Sequence, residues 1–145
     1  MRPARRWIAG IIGVAAMSTG QAVAQTPPSP AELAMYSGLH AAAAAGDVAA
    51  IRKLVQAGAN LDARDGNGRT PLHVAAFRGG VEAARLLIAA GAKPGLLDDQ
   101  RYDAMTIASV RDDVPMVQAL LAAGASAKLV TSRYDGTALI AAAHL

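Results

Sequence analysis

The sequence predicts an all-α solenoid, a row of stacked helix–turn–helix units, from three observations. The first is internal repetition. An apolar stretch ending in Gly-Ala recurs at Gly58-Ala59, Gly91-Ala92 and Gly124-Ala125, and both intervals are 33 residues. The second is the breadth of agreement on that period. Leu39-His40 falls on Leu72-His73, Gly46 on Gly79, Val48 on Val81 and Val114, and Leu54-Val55 on Leu87-Ile88 and Leu120-Leu121. The third is apolar spacing within a unit, as in Val81, Ala84, Leu87 and Ile88, which share one face of a helix. Such a unit cannot bury its own apolar face, so stacking on neighbours must build the core.

The first two dozen residues read as an address and not as part of the fold. Arg2, Arg5 and Arg6 form a positive start, Trp7 to Met17 is apolar and uncharged, and Ala22-Val23-Ala24 is a small-x-small cleavage pattern. The apolar run falls well short of the roughly 20 residues that span a bilayer. A signal peptide over 1–24 is therefore expected, with export to the periplasm first and secretion second, and no stable membrane anchor after cleavage. Arg5-Arg6 hints at twin-arginine export, but Ala4 and Trp7-Ile8 do not fit that route, and the general secretory route is favoured. The chain carries 14 Lys+Arg against 11 Asp+Glu. Three of those arginines leave with the leader, so the remaining chain is balanced at 11 against 11. No basic footprint for nucleic acid survives. With no cysteine there are neither disulfides nor a thiolate metal site, and a monomer held by packing alone is expected.

Gln25 to Pro30 reads as a proline-rich linker, an extended spacer with three prolines in six residues. Ser29-Pro30 supplies a capping hydroxyl and a proline at the first helical position, a good helix start. From 31 to 145 the units follow one grammar, with repeats at about 36–66, 67–99 and 100–133 and a partial one at 134–145. First helices are expected at about 37–45, 71–78 and 104–110, rich in alanine so that the next unit can approach. Tight turns follow at Gly46-Asp47, Gly79-Gly80 and Asp112-Asp113. Second helices are expected at about 48–57, 81–90 and 114–123, each closed by a glycine suited to a left-handed cap.

Thr70-Pro71-Leu72-His73-Val74-Ala75-Ala76, with Asp65 and Gly68 before it and Gly79 and Leu86 to Ala92 after it, resembles one ankyrin repeat almost throughout. The resemblance covers about 36–145 and implies antiparallel helix pairs with β-hairpin-like fingers at right angles to them. The flanking repeats are looser. Repeat one has Ser37-Gly38-Leu39-His40 and is open to running on from a capping helix begun near Ala31. Repeat three reads Asp103-Ala104-Met105-Thr106, with Arg101 in place of the finger glycine, which leaves the shape of the finger at 97–102 open. A further repeat opens at Thr137 and stops at Leu145, so the chain is expected to be a fragment that continues with at least one more helix.

His40 and His73 share one repeat position and could suggest a metal pair or a general base. Equivalent positions in neighbouring repeats lie about 10 Å apart, whereas ligands of one zinc ion each sit about 2 Å from it. The expected role is instead a hydrogen bond from each histidine to the backbone of a neighbouring finger, with Thr70 capping its helix. Asp98-Asp99 and Asp112-Asp113 are expected to be solvated turn residues, and Asp65-Gly66-Asn67-Gly68 lacks the further ligands of a calcium loop. No catalytic constellation, metal site or cofactor motif is found, so an enzyme is not expected.

What remains is a surface. The resemblance implies a concave face lined by the finger tips and the exposed ends of the first helices, where protein partners dock. Carried onto this chain, the partner-binding positions are Asn67, Arg69, Phe77 and Arg78 in repeat two, Gln100, Tyr102, Val110 and Arg111 in repeat three, and Arg133 and Tyr134 in the last finger. These include the only Phe and two of the three Tyr, and aromatic and arginine side chains are common interface anchors. The expectation is a non-catalytic interaction module. The alternatives are a regulatory or substrate-binding segment of a larger enzyme, or a support factor for a periplasmic peroxide-detoxifying enzyme, as some exported relatives of this type are.

Overall fold

The computed structural model describes residues 25–127. The expected signal peptide at 1–24, Arg133, Tyr134 and the partial repeat from Thr137 lie outside the described residues. Among the described residues there are seven helices and no strand.

Helix α1 (Pro30–Met35) begins where the sequence offers a cap. Ser29 and Glu32 form a reciprocal capping box, the Glu32 N–H donating to Ser29 Oγ at 3.2 Å and the Ser29 N–H to Glu32 Oε2 at 2.7 Å. It ends because Tyr36 turns extended, at φ −64° and ψ 145°. Repeat one therefore opens on a separate helix. The three units pair α2 (Gly38–Ala45) with α3 (Val48–Gln56), α4 (Pro71–Arg78) with α5 (Val81–Ala89), and α6 (Ala104–Val110) with α7 (Val114–Ala122).

Two layers result. α2 packs on α4 and α4 on α6, while α3 packs on α5 and α5 on α7. Buried alanines at 42, 43, 75, 76 and 108 keep the first layer thin, and Leu39, Leu72 and Met105, one period apart, are buried together. In the second layer Leu87 and Leu120 are fully buried. The Gly-Ala dipeptide closes each unit identically. Gly58, Gly91 and Gly124 take positive φ, and the alanine after each donates to a carbonyl five residues back, at 3.0 Å in all three repeats. This is the Schellman geometry, which the left-handed glycine permits.

Between units the chain folds back as a finger closed by turns. In repeat two the Asp65 N–H donates to Arg69 O at 2.9 Å and the Gly68 N–H to Asp65 O at 3.1 Å. Repeat three reproduces both bonds, from Asp98 to Tyr102 O and from Arg101 to Asp98 O, each at 2.9 Å. The Asp99 N–H, bonded to Asn67 O at 3.1 Å, ties one finger to the next. The missing glycine does not change the finger: Arg101 takes φ 66° where Gly68 takes 70°. Left-handed backbone costs a side-chain-bearing residue about 1–2 kcal/mol, part of which glycine returns through its freedom when unfolded. Arg101→Gly should therefore stabilise the fold by about 0.5–1 kcal/mol and raise Tm by a few degrees. A thermal melt showing no rise would contradict this. The reverse exchange is disfavoured at Gly68, where an added Cβ would crowd the Asp99 carboxylate and lie 3.0 Å from its backbone nitrogen.

Candidate partner-binding face

The finger row is pinned to the first-helix layer by histidines. His40 Nε2 lies 2.9 Å from Arg69 O and His73 Nε2 lies 3.0 Å from Tyr102 O, each reaching 29 residues ahead. The Thr70 N–H donates to His73 Nδ1 at 3.1 Å, with the Thr70 hydroxyl 2.8 Å from the same nitrogen. A backbone N–H can only donate, so Nδ1 accepts and the proton sits on Nε2. His73 is thus neutral, and its burial pulls the imidazole pKa below its ordinary value. In repeat three Thr106 takes the register position of His73 and is also buried, its N–H capped by Asp103 Oδ1 at 2.7 Å.

The first finger is held by a carboxylate. Asp65 Oδ1 accepts from the N–H groups of Asn67 and Arg69 at 2.9 and 2.8 Å, and Oδ2 accepts from Arg69 Nε at 2.8 Å and the Tyr36 hydroxyl at 2.6 Å. Burial alone would raise this carboxyl. The Tyr36 hydroxyl, then the Arg69 and Asn67 donors, outweigh it and hold the pKa down at about 2. The Arg69 guanidinium completes the network by pairing with Glu32, and the Asn67 amide donates to the same Glu32 oxygen. Asp98 repeats the pattern one period on, accepting from the Gln100 and Tyr102 N–H groups at 2.9 and 2.8 Å. Tyr102 stands there where Arg69 stands in repeat two, and burial pushes Asp98 up. Asp98 is consequently not the solvated turn residue its sequence suggests: it is buried and organises a finger. Asp99 and Asp112 are exposed, and Asp113 caps α7 through the Met116 N–H at 3.1 Å.

The family described as ankyrin repeats (3 copies) matches residues 19–98 and 39–131. The chain belongs to the ankyrin-repeat family. No curated protein matches the sequence. Ankyrin repeats are in general modules of protein–protein interaction, and the expected docking residues divide sharply on this ankyrin stack.

Arg78 and Arg111 are exposed at the ends of α4 and α6, one period apart, with Val110 half-buried beside Arg111. Arg78 Nε donates to Ala44 O at 3.2 Å, which lays the side chain across the preceding helix end. Phe77 is a correction. It is 5% exposed and belongs to the core, because Ala44 and Val110, its register partners, are smaller and burying the ring is worth more than presenting it. Arg69 is a second correction, 2% exposed and consumed by Asp65 and Glu32. Tyr102 is half-buried against the core. Asn67 and Gln100 do reach the finger tips, but Asn67 meets Glu32 of α1 and Gln100 meets the chain's own N-terminal segment.

That segment is the feature the sequence reading missed. Gln25–Pro30 does not run free as a spacer. The Thr26 N–H donates to Gln100 Oε1 at 3.1 Å, Gln100 Nε2 donates to Thr26 Oγ1 at 3.2 Å, and Arg69 Nη1 donates to Thr26 O at 3.3 Å. One signal was available: Glu32 and Tyr36 stand one period before Asp65 and Arg69. The register therefore runs back into α1, which occupies the place of a preceding finger.

Proposed function

We propose that this chain is an exported, non-catalytic ankyrin module that binds a partner protein along its concave face. The observation that supports this most is the pair Arg78 and Arg111, exposed at equivalent ends of adjoining helices in the layer that faces the fingers. Two guanidinium groups one repeat apart, with Val110 between the helix ends, suit a partner bearing acidic groups around a small apolar contact. Export rests on the leader at 1–24.

The test is partner capture from a periplasmic extract with the tagged chain, read by mass spectrometry. Arg78→Glu/Arg111→Glu should lose the captured partner. Arg52→Glu/Arg85→Glu makes the same charge change on exposed positions of α3 and α5, also one period apart, and should keep it. Equal loss from both variants would refute the concave face, and an uncleaved chain confined to the cytoplasm would refute export.

A further inference from the structure

We infer that the cleft between the finger tips recognises an extended Ser/Thr-Pro segment of a partner protein, and that the chain's own Thr26-Pro27-Pro28 holds it closed in cis. This rests on the interaction role proposed above and adds to it both the chemistry of the partner and a means of regulation. Gln100 and Arg69, from successive repeats, together satisfy the backbone N–H, the backbone C=O and the hydroxyl of one residue. Nothing else about Thr26 is read by these bonds, so an extended serine or threonine from another chain offers the same groups.

The receiving side is built before any segment arrives. Arg69 is 2% exposed, and Asp65 and Glu32 fix its guanidinium from behind, leaving Nη1 directed at the strap. The prolines suit the occupant for a separate reason. Pro27 and Pro28 have no N–H to leave unsatisfied, and they preset the extended backbone, which lowers the ordering cost of docking. Pro28 is buried, so the strap does more than lie across the surface. Yet it does not fill its site: a cleft of about 180 Å³ remains, lined by Thr26, Glu32, Asn67, Arg69 and Gln100 among others. An incoming segment thus has a foothold beside the strap before displacing it. The strap is joined to α1 at Ser29, and the reciprocal Ser29–Glu32 bonds of the capping box that starts α1 are separate from the Thr26 bonds to Gln100 and Arg69. It can therefore leave without unwinding the helix.

Thr26→Pro removes the N–H and the hydroxyl while sparing α1, and so unlatches the strap in the full chain. The probe is the hexapeptide Gln-Thr-Pro-Pro-Ser-Pro, titrated in trans and followed through the backbone amide signals of the finger at 97–102 in nitrogen-15 NMR spectra. Thr26→Pro should bind the peptide at least tenfold more tightly than the unmodified chain. Thr26→Pro/Gln100→Ala should lose binding, and a peptide with proline in place of its threonine should not bind Thr26→Pro. Equal binding by the unmodified chain and Thr26→Pro, or no binding by either, would overturn the proposal. The titration involves no cellular partner, so its failure leaves the concave-face reading standing, and failure of the capture experiment leaves the titration standing.

Discussion

Arg69→Ala is expected to cost about 3–5 kcal/mol, the range found when one partner of a buried ion pair is removed. The guanidinium is nearly inaccessible, and Asp65, whose side chain is 8% exposed, is left as a buried carboxylate without its cation. At about 4–8 °C per kcal/mol for a domain of this size, Tm should fall by more than 10 °C. Tyr36→Phe removes one hydrogen bond from the same carboxylate and should cost about 1 kcal/mol. The Glu32 contact is a third exposed and should matter least of the three, as ion pairs open to water do. Chemical denaturation of Arg69→Ala, Tyr36→Phe and Glu32→Gln tests the order, and an Arg69→Ala loss no larger than that of Tyr36→Phe would deny the arginine its role.

Acid gives the same network a second readout. The folded pKa of Asp65, about 2, lies below the 3.8 of an unperturbed aspartate. Its contribution is fully present above pH 3.8 and is lost as pH falls through the folded value. Arg69→Ala removes the guanidinium's share of that depression but keeps the Tyr36 hydroxyl and the backbone N–H donors, so this part of the acid sensitivity should shrink in the variant without vanishing.

Most of the helical frame was legible because its signals are local and repeated. The second helices end at Gln56, Ala89 and Ala122, each just ahead of a Gly-Ala whose left-handed cap only a few residue types tolerate. The histidine bonds were legible too, since one residue type at one register position in adjoining units implies one shared structural task. Depth was not legible. A motif position says which side of a repeat a residue occupies, but not what covers that side. Arg69 and Gln100 sit where exposed docking residues belong, yet α1 and the strap at 25–28 cover them. Phe77 was misplaced for the opposite reason: its size favours the core over the rim, and the neighbouring repeats leave it room. Arg101 shows the limit of reading glycine as a requirement, because two backbone hydrogen bonds hold that finger in shape despite the strain.

His73→Ala should be the second large loss, about 3 kcal/mol. It opens a cavity, leaves the buried Thr70 N–H without its acceptor and takes one of two donors from the Tyr102 carbonyl, which keeps the Asp98 N–H. The sharper test is pH. Burial, the largest influence on this imidazole, lowers its folded pKa below 6.5. The Tyr102 carbonyl and the Asp98 and Asp103 carboxylates pull the other way, and Arg64 assists the burial. The unfolded chain therefore takes up a proton near pH 6.5 that the folded chain refuses. This contribution is complete above pH 6.5 and declines as pH drops below it, by at most about 1.4 kcal/mol per pH unit. Asp98 and Asp103 carry raised pKa values, so their contribution grows as pH falls and partly masks the slope. Comparison with His73→Gln, which keeps a polar side chain without a titrating ring, removes that masking, because both carboxylates remain. Stability measured at pH 7.0, 6.0 and 5.5 should fall more steeply in the unmodified protein than in the variant. Parallel curves would mean that the folded protein tolerates a charged His73, against the proton assignment that the Thr70 N–H imposes.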